Sequence, residues 1–318
     1  MSKPASQKQT QPDLDRAADF LWRSARLLDR VRFAHLFCDG SRDAVLAALR
    51  AYQNADGGFG HALEPDIRAP GSQPAAVSAA FEILHQVDGF SDPMVEQACD
   101  FLLTCTGPDG GLPFILASAV PYPRAPWWEP SSDAPSSVTF SAPIAGLLHR
   151  HGVAHPLRDR LTAYCWQAIA AFDPPDFTGQ AWHVPRIGTA YEARAMLAFL
   201  AHVDDPRREP ACARLGRLVL DYGLVELDPA APGNAITLLD YAPSPQSQAR
   251  SLFAADVVDA HLDALVAAQR DDGGWMFRWM DWNAAGTLEW RGWLTVETLL
   301  SLRAYGRLAT GPTEHGRA

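Results

Sequence analysis

The stretch "QNADGGFG", residues 53–60, decides the fold because it recurs near the other end of the chain as "QRDDGGWM", residues 269–276. Each copy closes an apolar helical pattern and carries Gln-x-x-Asp-Gly-Gly followed by an aromatic residue. A weaker copy, "GPDGGLPF", occupies residues 107–114. Paired glycines let the chain leave a helix at positive φ and turn sharply. A repeated unit of helix, corner and helix predicts a solenoid or a closed toroid.

The side chains of the corner are predicted to stabilise it rather than to react. The aspartate can accept hydrogen bonds from the amides of the turn, the glutamine can bond to neighbouring backbone groups, and the aromatic ring covers the helix ends. The residues assigned to this structural repeat are Gln53, Asp56, Phe59, Gln269, Asp272 and Trp275.

The rest of the chain has helical periodicity, and no segment alternates as a strand does. Helices are predicted near 14–37, 41–53, 74–87, 92–105, 141–151, 156–172, 188–203, 207–222, 253–269 and 291–307. The predicted fold class is all-α: one α/α toroid of paired helices over residues 13–310, between a disordered tail (1–12) and a flexible tail (311–318). Long loops rich in Pro, Gly and Trp are expected at one rim, where loops of this length are usually functional.

Composition limits the classes of partner. The net charge of −10 and the pI near 5.4 argue against nucleic acid. Five cysteines without a C-x-x-C pair predict reduced thiols and a cytoplasmic location. The first dozen residues lack the apolar core of a signal peptide, and no run of about 18 apolar residues predicts a membrane span. A homodimer is left open.

The corner also carries a resemblance. Q-x-x-D-G-G-W in a helical repeat resembles the QW motif of squalene-hopene and oxidosqualene cyclases, and the same corner is similar to that of protein prenyltransferase β-subunits. "GGFGHALEPDIRAPGSQP" and "LEWRGWLTVETLLSLRAYGRL" further resemble an actinobacterial prenyltransferase-like group. The resemblance implies the terpenoid cyclase/prenyltransferase toroid, with a central cavity, and a small apolar partner such as an isoprenoid. It implies no particular reaction.

The reactive motifs of those families are missing. The sequence contains neither the D-x-D-D acid of class II cyclases nor the D-D-x-x-D magnesium motif of class I synthases, and the cysteine and histidine pattern of their zinc enzymes is absent. We therefore predict no metal and no cofactor.

A candidate acid lies in "HALEPDIR", residues 61–68, directly after the first corner. Glu64 and Asp66 flank a proline that fixes the backbone between them. Two neighbouring acids can raise the pKa of one of them and leave a protonated carboxyl group, as a general acid requires. The structural alternative pairs Glu64 with Arg68 and makes Asp66 the cap of a turn.

Two further groups are candidates for the rim of the cavity. "WMFRWMDWNAAGTLEWRGW", residues 275–293, holds five tryptophans, whose ring faces suit a cation or a sugar. His183 is a candidate base. Candidate catalytic residues are Asp66, Glu64, His183 and Glu289, and candidate substrate-binding residues are Trp182, Trp279, Trp282, Trp290, Arg68 and Arg278. The alternatives are a stacked apolar cap, a loop histidine, and an ion pair between Glu289 and Arg291.

The leading functional hypothesis is a terpene-cyclase-like enzyme, of the isomerase or lyase type, that protonates an isoprenoid or similar apolar substrate. Asp66 or Glu64 would give the proton, tryptophans would shield the cation, and His183 or Glu289 would remove a proton at the end. Two alternatives stay open. One is a carbohydrate-active α/α-barrel hydrolase or lyase, which needs two carboxylates roughly 5–9.5 Å apart. The other is a non-catalytic binding or scaffold protein.

Overall fold

The computed structural model describes residues 11–131 and 134–308. Residues 1–10 of the predicted N-terminal tail and the whole predicted C-terminal tail, 311–318, lie outside these ranges. The α-helices of the described chain are α1 (Leu14–Ser24), α2 (Leu27–Phe37), α3 (Arg42–Arg50), α4 (Pro74–Gln86), α5 (Met94–Cys105), α6 (Val138–Arg150), α7 (Pro156–Ala171), α8 (Val184–Leu200), α9 (Arg208–Asp221), α10 (Leu238–Tyr241), α11 (Ala255–Ala267) and α12 (Ala284–Ala304).

Extended structure is minor in the described chain. Strands β1 (Leu112–Pro113) and β2 (Ser136–Ser137) form one short antiparallel pair, and 3-10 turns cover Ala117–Ala119 and Gln248–Leu252. The all-α prediction is confirmed. None of the described helices combines the length and apolar character needed to cross a bilayer.

The helices alternate between two layers. Helices α4, α6, α8 and α10 pack against one another in chain order, and α12 packs against α2, so the even-numbered helices form an inner layer. The odd-numbered helices lie outside, where α5 packs on α7 and α1 packs on α12. Because the last inner helix contacts the first two helices of the chain, the layers close into a toroid.

The corners explain how this ring closes. The corners after α3, α5 and α11 each rest on the first turns of another outer helix: α5, α7 and α1 respectively. A Cβ on Gly57 would lie 2.3 Å from the Gln97 carbonyl oxygen, and one on Gly273 would lie 1.9 Å from that of Arg16. Both glycines have positive φ, 85° and 93°. Only glycine permits such a close approach. The corner after α11 therefore packs against α1, the first helix of the chain.

The polar side chains of the corners hold this arrangement. Gln269 exchanges two hydrogen bonds with the backbone of Asp13, at 2.7 and 2.8 Å, and donates to the Gly273 carbonyl oxygen at 2.9 Å. Gln53 likewise donates to the Gly57 carbonyl oxygen at 2.9 Å. The aspartates each accept the amide of the second following residue: Asp56 from Gly58, Asp109 from Gly111 and Asp272 from Gly274.

The predicted helix over 14–37 is wrong as a single element. Ala25 and Arg26 adopt extended backbone and separate outer α1 from inner α2. The apolar spacing continues across the break because both helices bury a face against the same core. Trp22, which the periodicity places on the apolar stripe, is 46 % exposed.

Two inner helices begin earlier than predicted. Helix α12 starts at Ala284 rather than near 291, because Asn283 caps it by accepting the Gly286 amide at 2.7 Å. Helix α8 starts at Val184 with Pro185 in its first turn, rather than near Gly188. Consequently Glu289 and Trp290 belong to an inner helix and not to a loop.

Candidate functional site

The segment 61–70 links the first corner to the inner helix α4 and carries the candidate acids. His61 and Ala62 have positive φ, 55° and 59°, a conformation that non-glycine residues adopt rarely. Arg26 fixes the next part by donating to the carbonyl oxygens of Ala62 at 3.2 Å and Leu63 at 3.1 Å. Glu64 therefore follows a backbone that is clamped from the start of α2.

Asp66 lies in a cradle of tryptophans. Its Oδ1 accepts the indole N–H of Trp282 at 2.8 Å and that of Trp290 at 3.0 Å, and the residue is 4 % exposed. The buried indole of Trp128 approaches the same carboxyl group without meeting hydrogen-bond geometry. Burial raises the pKa of Asp66, while the indole donors counteract part of that rise because they bind the ionised form.

Glu64 differs from an ordinary glutamate in the pKa of its carboxyl group. Burial, followed by the neighbouring charge of Asp66, raises the pKa of Glu64 to about 8. The Glu64 side chain nevertheless keeps some accessible surface, and its Oε1 accepts the Asp66 amide at 3.3 Å. With this pKa the Glu64 carboxyl group is largely protonated at neutral pH, as a general acid must be.

The ion pairs differ from those predicted. Arg68 forms a two-pronged pair with Glu289, in which its Nη2 lies 3.1 Å from Oε1 and its Nη1 contacts Oε2. Arg291 instead binds both oxygens of Asp272, at 2.7 and 2.8 Å. The predicted pairs of Glu64 with Arg68 and of Glu289 with Arg291 are therefore wrong. Residues two apart on a helix point to different faces, so Glu289 and Arg291 cannot meet.

Aromatic rings continue from the cradle along the tryptophan-rich segment. Trp279 meets Trp290 edge to face, with ring centroids 5.1 Å apart, and stacks on Phe277 at 4.6 Å. Trp128 stacks on Phe114 with centroids 4.4 Å apart. Arg278, between the tryptophans, is exposed. The rings around Asp66 therefore combine N–H donors at their edges with apolar faces.

Trp182 and His183, which were also predicted to belong to the site, lie apart from the acids in the described structure. Trp182 donates to Glu226 Oε2 at 3.0 Å and stacks under Arg186, whose Cζ is 3.9 Å from the ring centroid. His183 is exposed, and its Nδ1 lies 2.9 Å from the Ala181 carbonyl oxygen. Neither residue shares a described contact with Glu64 or Asp66.

Tyr191 is the residue of α8 that does come near. Burial raises its pKa, and the charges of Glu64 and Asp66 add to that rise. It lies in the second turn of α8, which begins at Val184. From sequence alone, a single aromatic residue in a helix such as Tyr191 cannot be distinguished from a core residue.

Two observations limit other kinds of site. Within residues 11–131 and 134–308, no group of three or more His, Cys, Asp or Glu side chains is arranged to hold a metal ion. A surface groove of about 610 Å³ lies along α7, with Trp166 and Arg207 among its lining residues. None of its lining residues belongs to the predicted site.

The all-α ring of paired helices is a fold that this chain shares with solved terpene cyclases. A protein from Actinoplanes superposes with a TM-score of 0.56 and 18 % identity, over 92 % of this chain and 98 % of that one. An arginine variant of the type II terpene cyclase MstE from Scytonema, in complex with geranylgeranyl dihydroxybenzoate as substrate, superposes with a TM-score of 0.53 and 16 % identity. That match covers 93 % of this chain and 97 % of the cyclase. MstE in complex with its product, merosterolic acid A, gives 0.51 at 18 % identity, over 92 % and 87 % of the two chains.

These superpositions establish a terpene-cyclase-like fold, and at such low sequence identity they establish no reaction. No protein-family model and no curated protein matches the sequence.

Proposed function

We propose that this chain is an enzyme that protonates a C=C bond of an isoprenoid, or of a similar apolar molecule, and so starts its cyclisation or isomerisation. The proposal is supported by the contact between the two acids, in which the Asp66 amide donates to Glu64 Oε1 at 3.3 Å, and by the burial that raises the pKa of Glu64 to about 8. A carboxyl group that stays protonated at neutral pH is a weak acid in water. It can protonate a substrate only where the accepting carbon lies beside it and water is excluded.

The two acids take different roles in this proposal. Glu64 gives the proton, because its pKa keeps it protonated. Asp66 is the positioning residue: its charge helps to raise the pKa of Glu64, and Trp282 and Trp290 hold its ionised form. The faces of Trp279 and Trp290 stabilise the resulting cation. The fold shared with MstE, whose solved complexes contain an isoprenoid-bearing substrate, supports an isoprenoid as the substrate class.

The ion pair of Arg68 and Glu289 has a supporting role here. It joins the segment 61–70 to α12, 221 residues further along the chain, and so fixes Glu64 relative to the cradle tryptophans. The carbohydrate-active alternative requires two carboxylates that are free to act on a sugar. Glu289 is neutralised by Arg68 and Asp66 is held by two indoles, so neither is favoured for that work.

Deuterium transfer tests the proposal. The protein is incubated in D₂O with linear isoprenoids, namely geranylgeranyl dihydroxybenzoate, farnesol and squalene, and the products are analysed by mass spectrometry. We expect a cyclic or isomerised product with one deuterium bound to carbon. Glu64→Gln should abolish this product while keeping the helical circular-dichroism spectrum.

Glu192→Gln is the matched control, because Glu192 is also a partly buried glutamate with a pKa raised by burial, and its charge acts on Tyr164 of the outer helix α7. It should retain activity. Deuterated product from Glu64→Gln at the wild-type rate would contradict the assigned acid, and no product from the wild type with any of the three compounds would contradict the proposed function for this substrate class.

A further inference from the structure

A second polar cluster lies deeper in the ring and takes no part in the chemistry assigned to Glu64. It joins three inner helices: Arg32 of α2, Gln86 of α4 and Glu297 of α12. The Arg32 Nη2 donates to Glu297 Oε1 and to Gln86 Oε1, both at 2.6 Å, and its side chain is 0 % exposed. Charged groups are rarely buried so completely unless they are paired.

The cluster shares a helix face with the acid site. Glu289, Trp293 and Glu297 are spaced by four residues on α12, so they form one stripe along the inner face. At 1.5 Å per residue, Glu297 lies about 12 Å further along the axis than Glu289. The acid site and the cluster therefore lie at two depths of the same inner face.

A chain of ion-paired side chains connects the acid site with the cluster around Arg32. Arg26, which clamps the backbone before Glu64, donates to Asp29 Oδ2 at 2.9 Å. Asp29 Oδ1 in turn accepts from Arg32 at 3.1 Å. Arg32 then reaches Glu297. This continuity shows that the buried network and the acid segment belong to one assembly at the centre of the toroid.

Glu297 is the carboxylate of the cluster, and it keeps accessible surface. Its side chain is 30 % exposed, although it is enclosed by α2 and α4. The Gln86 Nε2 lies 3.0 and 3.1 Å from the two carboxylate oxygens of Glu297 and 3.3 Å from Glu82 Oε1. Trp293, one turn nearer the acid site, packs under Arg32, whose Cζ is 4.3 Å from its ring centroid.

These contacts suit a base. Arg32 and Gln86 hold Glu297 in its ionised form. Burial and the charge of Glu82 raise its pKa above that of an ordinary glutamate, against the opposing effect of Arg32, so the carboxylate binds a proton more strongly. His183 is exposed, and Glu289 is held through both of its oxygens by Arg68. Glu297 receives one guanidinium hydrogen bond, because Arg32 is shared between Glu297 and Asp29.

We propose that Glu297 is the proton acceptor that ends the reaction begun by Glu64, a role that rests on the proposed function. Glu64 gives its proton to one alkene carbon, and the π pair forms the new C–H bond and leaves a carbocation. At the end a C–H bond beside the final cation breaks, its electron pair closes a C=C bond, and the proton passes to the Glu297 carboxylate. Both acids recover their starting state by exchange with water, and no oxidation state changes.

A cationic probe tests the acceptor without any turnover. N,N-dimethyldodecylamine is protonated at neutral pH and presents an ammonium group on an apolar chain, as the final cation does. We expect Glu297→Gln to weaken its binding about ten-fold relative to the wild type, because the ammonium loses a desolvated carboxylate. Dodecanol, which has no charge, should bind both proteins equally. Glu192→Gln should leave the affinity for the amine unchanged.

Folding is checked by circular dichroism. Where Glu297→Gln does not reach the wild-type helical spectrum, Glu297→Asp replaces it; this variant keeps the charge, draws it back by one methylene and should weaken amine binding by a smaller factor. Amine affinity that is unchanged in the folded variant would overturn the assignment of Glu297.

Product analysis separates this inference from the proposed function. In Glu297→Gln we expect the isoprenoid to be consumed with one deuterium still incorporated, but with water-captured alcohols replacing the alkene product. The wild-type alkene in unchanged proportion would overturn Glu297 as the acceptor and leave Glu64 as the acid. Amine binding that depends on Glu297, in a protein that converts none of the isoprenoids, would instead support the cation site and contradict the proposed function.

Discussion

The indole N–H of Trp290 donates to Asp66 Oδ1 at 3.0 Å, across 224 residues of sequence. Trp290 lies on α12, the last inner helix, and Asp66 lies on the segment that follows the first corner. Closure of the ring is what brings them together. The same contact stabilises the ionised form of Asp66, so the fold and the proposed chemistry depend on one arrangement.

Trp290→Phe should alter Asp66 without removing the aromatic ring. We expect the pKa of Asp66 to rise further, because one donor to its ionised form is lost, and the free energy of unfolding to fall by about 1–2 kcal/mol. Carbon-13 NMR of the Asp66 carboxyl group and urea unfolding measure the two effects. Trp279→Phe is the control, since Trp279 contributes ring contacts and no described hydrogen bond to Asp66. Equal shifts in both variants would contradict the role of the indole N–H.

Arg68 and Glu289 should be energetically coupled. Their side chains are only 26 % and 18 % exposed and meet in a two-pronged pair. A double-mutant cycle with Arg68→Met and Glu289→Gln should give a coupling of about 1 kcal/mol or more, above the usual value for exposed pairs. The same cycle for Glu289 and Arg291 should give about zero. A reversal of these two results would restore the ion pair that the sequence suggested.

Gln269→Ala should weaken the closure of the ring. The substitution removes two hydrogen bonds to Asp13 and one to Gly273, and we expect the free energy of unfolding to fall by about 1–3 kcal/mol. Gln180→Ala is the control, because Gln180 makes an exposed bond to Asp176 and should change stability little. Thermal unfolding of the two variants measures the difference. Equal stability of Gln269→Ala and Gln180→Ala would mean that the corner after α11 contributes nothing to the free energy of unfolding.

Glu64 should make stability fall as pH rises. Its pKa is raised from 4.5 to about 8 in the folded protein, so between these values the folded state binds more protons than the unfolded state. The stabilisation is complete below pH 4.5 and is lost as pH rises through about 8, with an upper limit of roughly 5 kcal/mol by linkage. Glu64→Gln should remove this slope, as urea unfolding at several pH values would reveal. An identical slope in the variant would assign the proton to another group.

The corners show what the sequence could predict. Glycine pairs at positive φ and an aspartate that binds the turn are local chemistry, and they repeat, so the all-α class and the ring follow from residues 53–60 and 269–276. Glu64 and Asp66 could be singled out for a similar reason, since an acid pair around a proline is visible in one short segment.

The remainder of the site depends on contacts between distant segments. Arg68 meets Glu289, and Trp290 meets Asp66, only because α12 begins at Ala284 and the ring closes. Asn283 caps α12 through a local hydrogen bond. The start of the helix was not predicted, because the tryptophan-rich stretch around Asn283 has no clear helical periodicity. Glu297 was missed because a single glutamate in a helix usually faces solvent, and only the packing of α2 and α4 makes it internal.

Titration of Glu64 by carbon-13 NMR tests the central claim most directly, because it needs no substrate. Protein labelled at the glutamate carboxyl carbon is titrated, and the Glu64→Gln variant identifies the signal. The account predicts a midpoint near pH 8, which falls in Asp66→Asn because the neighbouring charge is lost. A midpoint near 4.5 in the wild-type protein would mean that Glu64 is ionised at neutral pH, and it would contradict its role as the acid.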